Sequence, residues 1–129
     1  VAKHYLTGLD WMIHALNSAT HRACPTGNSS QIVLELDDQI DVARLEEALQ
    51  EITTAFPLIN GRPARGWTLE PFWKSPSKKA TLTPPCIEVI KLHGDDGALA
   101  ALQRCANTPF RSEREHLIFY LLDAPSGSS

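Results

Sequence analysis

Apolar and polar positions along the chain fall into blocks of different period. Gln31–Leu36 (QIVLEL) places Ile32, Leu34 and Leu36 on one side and predicts a strand. Val33 breaks the alternation, so both faces are expected to be partly covered. Leu45, Ala48, Leu49, Ile52 and Phe56 then recur at helical spacing, one apolar stripe behind an Asp41 that can cap the first turn. Pro57 disfavours helical geometry at Phe56 and ends the helix there, and Asn60-Gly61 turns the chain. Cys86–Leu92 (CIEVIKL) predicts a second strand, with Ile87, Val89 and Lys91 alternating against Glu88, Ile90 and Leu92. Asp95 or Asp96 is placed to cap a helix running through Ala106, with Leu99, Leu102 and Ala106 inward and Cys105 near that face. His116–Leu122 (HLIFYLL) predicts a third strand.

The remaining stretches carry weaker patterns. Val1–Leu6 is too short to assign. Thr7–Thr20 predicts a helix with Met12, Ala15, Leu16 and Ala19 as its stripe and Asp10 as its cap. Trp67–Trp73 predicts a short strand with Trp67, Leu69 and Trp73 on one side, demoted by Pro71 to an edge or bulged strand. Ser75–Pro85 is a loop by composition, with Lys78-Lys79 at a solvated tip, and Ala124–Ser129 is a loop or fraying tail. The order is a helix followed by β-α-β, a loop and β-α-β. That predicts an α/β chain of the α+β sandwich kind, its helices packed on one face of a small mixed sheet. At 129 residues, one domain spanning 1–129 is expected.

Composition narrows the function classes. A hydrophobic content of 43% suits a globular core, and a net charge of −3 argues against a nucleic-acid binder that relies on bulk positive charge. No apolar run approaches the roughly 20 residues that span a bilayer, and no signal peptide is visible at Val1. Cys24, Cys86 and Cys105 are odd in number and scattered, which favours reduced thiols and a cytoplasmic setting over a disulfide framework or a zinc site. His14 and His21 lie seven residues apart and can share a helix face, but further metal ligands are not obvious nearby, so a structural or solvated role is expected. Glu113, Glu115 and His116 read more simply as a charged turn before a strand than as a metal site. The glycines have neither P-loop nor dinucleotide spacing, and no G-x-S-x-G occurs.

Strand, Asp41 with Leu45 and Ala48-Leu49, then Pro57-Leu58 and Gly61-Arg62 resemble the opening of the chloramphenicol-acetyltransferase-like acyltransferases, which include condensation domains and the BAHD enzymes. Leu6–Asp10 is similar to the phrase that often precedes their first helix; Pro109-Phe110 and Leu117–Leu122 resemble the stretch after their second. Phe56 stands where condensation-type members usually place a His before the Pro, a wording closer to the BAHD style. The resemblance covers nearly all of this chain but only the front lobe of such an enzyme.

It implies an acyl transfer from a thioester, on coenzyme A or a carrier protein, to a hydroxyl or amine. The thioester enters as co-substrate, with no permanently bound cofactor and no metal. The family's catalytic His belongs to a His-x-x-x-Asp-Gly motif on a later strand. None of the five histidines here has that sequel, so no catalytic residue is expected in this chain. Arg62 is the residue best placed to pair with the motif's Asp and hold the catalytic loop, with Arg65 its competitor; a surface Arg in a turn is the plain alternative. Trp67, Phe72 and Trp73 lie close enough in sequence to line an acyl pocket, although aromatic core packing explains the same cluster. The chain is expected to be truncated, cleaved or continued elsewhere, and its partner is the C-terminal lobe or, through the same exposed face, a second copy. Two rivals stand beside this reading: a non-catalytic α/β binding or assembly module, and a degenerate scaffold member of the same superfamily.

Overall fold

The structure, a computed structural model, describes residues 3–76, 82–92, 97–112 and 114–123. Among these residues the architecture is mixed α/β, with three α-helices and two small sheets: β1 (Lys3–Tyr5), α1 (Gly8–Thr20), α2 (Val42–Ala55), a 3₁₀ turn (Pro57–Asn60), β2 (Arg62–Arg65), β3 (Pro71–Lys74), β4 (Cys86–Lys91), α3 (Gly97–Ala106) and β5 (Ile118–Asp123). One sheet is antiparallel in the order β1-β3-β2; the other pairs β4 with β5 in parallel, from Cys86 opposite Ile118 to Lys91 opposite Asp123. A parallel pair needs a crossover connection, and α3, which packs on β5, lies within it. The Asp95 or Asp96 cap, the Lys78-Lys79 tip, Glu113 and the 124–129 tail lie outside the described residues.

Helix α2 starts as its sequence requires, with the Asp41 carboxylate accepting from Ala43 N–H at 3.0 Å and Arg44 N–H at 3.2 Å. Phe56 closes it, and Pro57 opens the 3₁₀ turn. Helix α1 differs from expectation. It begins ahead of Asp10, because Thr7 caps it: the Thr7 hydroxyl accepts from Asp10 N–H at 3.3 Å, and the Asp10 carboxylate accepts from Thr7 N–H at 2.9 Å. This reciprocal box satisfies two backbone N–H groups, those of Thr7 and Asp10.

Three further expectations are corrected. Gln31–Leu36 forms no strand; every side chain from Gln31 to Ile40 is exposed. A strand is stabilised by a paired neighbour and a half-buried pleat, and among the described residues no strand pairs with this segment. Gln31 Nε2–H donates to the Leu102 carbonyl at 3.2 Å. Secondly, β3 is the central strand of its sheet, not an edge, and spans only Pro71–Lys74. Pro71 is tolerated as its first residue, where its carbonyl accepts from Leu6 N–H at 3.1 Å. Thirdly, the helix faces are rotated from the expected stripes. Met12 and Leu16 of α1, Ile52 of α2 and Leu99 of α3 face water, while Leu49, Thr53, Ala101 and Cys105 are buried. In α3 the buried positions are the small residues Ala101 and Cys105. The strands form two small sheets where one was expected, and α3 packs on β5 of the parallel pair.

Candidate functional site

The polar stripe of α1 lines a hollow rich in titratable side chains. Asp10, His14, Asn17 and His21 follow one another at spacings of three and four, so one helical face carries all four. With Trp73 of β3 and His116 before β5 they line a hollow of about 400 Å³ that also takes in Ile13 and Phe110. The Asn17 Oδ1 accepts from Asn28 N–H at 2.7 Å and the His21 ring meets the Pro25 carbonyl through Nδ1 at 2.9 Å, which folds the 25–29 loop back over the helix. Gly27 makes that fold possible: its φ is +62°, and a Cβ there would strike the Asn17 and His21 side chains.

The opposite wall is pinned at Gly61. The Trp73 indole N–H donates to the Leu58 carbonyl at 2.9 Å, the His116 Nε2 meets the Gly61 carbonyl at 2.7 Å, and the two rings pack with centroids 5.1 Å apart. Any side chain at position 61 would collide with the Trp73 ring. One residue earlier, buried Asn60 clamps a distant segment. Its amide donates to the Thr83 carbonyl at 2.8 Å and its Oδ1 accepts from Thr83 N–H at 2.6 Å.

The sequence-nominated residues are dispersed. Trp73 lines the hollow. Phe72 is a core residue, edge-on to Tyr5 with ring centroids 6.3 Å apart and Lys3 Nζ 4.9 Å above it. Trp67 stands at the tip of the β2–β3 hairpin, fully in water. Arg62 opens β2 opposite Lys74 with its side chain exposed, and Arg65 stacks 4.7 Å over the Trp11 ring. His14 and His21 do share a face, as their spacing implies. His116, weighed from sequence only with Glu113 and Glu115 and read as part of a charged turn, meets Gly61 and Trp73, which are remote in sequence; Asn17 carries no signal beyond its place on the His stripe.

Among the described residues no group of three or more His, Cys, Asp or Glu could hold a metal ion. A second groove runs beside α2 past Asn60 and Arg111. There Arg111 pairs with Glu88, so its charge is already matched. The described cysteines are free thiols; the Thr26 hydroxyl 3.1 Å from its sulfur holds the Cys24 thiol below its usual range, and burial pushes Cys105 up. No described helix is long and apolar enough to cross a membrane. No family model, curated protein or solved structure matches the chain.

Proposed function

We propose that the chain is the N-terminal lobe of a chloramphenicol-acetyltransferase-like acyltransferase. The complete enzyme moves an acyl group from a coenzyme A or carrier-protein thioester to a hydroxyl or amine in the cytoplasm. One observation carries the reading: apolar side chains stand in water on a scale suited to a lobe that docks on another. Ile32 is 85% exposed, Leu34 78% and Trp67 105%, while only four described apolar residues are buried. The partner is the C-terminal lobe, which supplies the His-x-x-x-Asp-Gly motif; in its absence the lobe self-associates. Arg62 holds the motif's Asp, and Trp73 belongs to the channel wall, with Trp67 and Phe72 as the other aromatic candidates.

The test is acyl transfer by the full-length gene product with acetyl-CoA and carrier-bound thioesters. Turnover is expected, and Arg62→Ala should lower kcat on the order of 100-fold through a displaced catalytic loop. A folded full-length product that transfers no acyl group from either donor overturns the reading. The second reading, a non-catalytic binding or assembly module, draws on the lack of His-x-x-x-Asp-Gly within these 129 residues. A stop codon directly after Ser129 would favour it.

A further inference from the structure

The hollow between α1 and His116 has a chemical polarity that follows from two hydrogen bonds. A carbonyl oxygen can only accept. The Pro25 carbonyl therefore fixes the proton of His21 on Nδ1, and the Gly61 carbonyl fixes that of His116 on Nε2. In their neutral forms His21 is left with a bare Nε2 and His116 with a bare Nδ1, and among the described residues neither bare nitrogen has a hydrogen-bond partner. The Asp10 carboxylate and the Asn17 Oδ1 add further acceptors to the same lining, Thr26, Asn28 and Ser29 add groups that can donate as well as accept, and no Lys or Arg is among it. Ile13, Trp73 and Phe110 supply an apolar wall.

We infer that this hollow is a binding site for a small molecule with an apolar, ring-sized body and a hydrogen-bond-donating head, a hydroxyl or an amine. A donor head can bond these acceptors directly, whereas an acceptor-only head such as an ether or ester oxygen gains no bond from them and leaves them to water. The binding stands on this geometry alone; identifying the ligand with the acyl acceptor rests on the acyltransferase reading.

The test uses the ¹⁵N-labelled chain itself, with benzyl alcohol and benzyl methyl ether as probes and long-range ¹H–¹⁵N spectra of the imidazoles as readout. His21 is expected as the Nδ1–H tautomer and His116 as the Nε2–H tautomer. Benzyl alcohol should shift their unprotonated nitrogens saturably and bind about tenfold more tightly than the ether, the worth of roughly one net hydrogen bond. Ile13→Trp, at a half-exposed position that tolerates the change, should fill the hollow and abolish binding. The inference is overturned if either ring shows the other tautomer, if alcohol and ether bind alike or not at all, or if Ile13→Trp binds as the parent does. Acyl-transfer turnover is not part of the readout, so this inference and the acyltransferase reading fail separately.

Discussion

Two stretches of this chain have comparable apolar content and opposite fates. Residues 57–74 hold the 3₁₀ turn, a hairpin and the Trp73 seat, and polar groups at turning points are answered: Asn60 by Thr83, the Trp73 indole by Leu58, Gly61 by His116. Residues 31–40 carry Ile32, Val33, Leu34, Leu36 and Ile40, yet every one is exposed, and among the described residues a single side-chain bond, from Gln31, ties the segment down. Apolar residues supply a driving force without direction; the specific backbone partners decide where it is used.

The comparison breaks most visibly at Asn60. Asn60→Ala removes both bonds to Thr83 and leaves two backbone groups in a half-buried site without their partner. A loss of about 3 kcal/mol is expected in urea unfolding monitored by Trp fluorescence. Next comes Gly61→Ala, whose methyl would land on the Trp73 indole. Displacing a ring so placed should cost about 2 kcal/mol, with loss of the His116–Trp73 contact visible in near-UV circular dichroism. If either variant unfolds at the parent's urea midpoint, the clamp is not what holds this region.

What the sequence made legible follows the same line. Helix α2 with its Asp41 cap, helix α3 and strands β4 and β5 were readable because periodicity and local turn chemistry specify them. Where each helix face points was not. Leu99 looks inward by its hydropathy, but it is exposed and the buried positions of α3 are Ala101 and Cys105. The Gln31–Leu36 strand failed because alternation describes a face and says nothing of a neighbouring edge. Of the hollow, the His14–His21 face could be read, since both lie on one helix. The Trp73–His116 wall joins residues far apart in the chain and leaves no local trace.

A smaller effect sharpens the contrast at a local motif. Thr7→Ala removes half of the capping box on α1 and should cost about 1 kcal/mol. Asp10 adds a pH signature. The bonds from the Thr7 hydroxyl and backbone hold its carboxyl below the ordinary carboxylate range. A depressed folded-state pKa stabilises fully above the unfolded value and is lost as pH falls through the folded one. Asp10→Asn should therefore separate from the parent at neutral pH and converge with it well below about pH 4. A gap that persists in acid would show that the carboxylate is not the source.

The smallest effect on stability, and the sharpest comparison, is expected at Ile32 and Leu34. Converting a buried pair of this size to serine would remove several kcal/mol. Here both side chains already lie in water, so Ile32→Ser with Leu34→Ser should move the unfolding free energy by no more than about 0.5 kcal/mol. Their apolar surface should act between molecules instead. The parent should show concentration-dependent self-association in size-exclusion chromatography with light scattering, and the double variant should elute closer to a monomer. A double variant that unfolds much more easily would mean that Gln31–Leu36 is covered within the chain in solution. One that associates as the parent does would place the sticky surface elsewhere, with the exposed Met12 and Leu16 on α1 as the next segment to change.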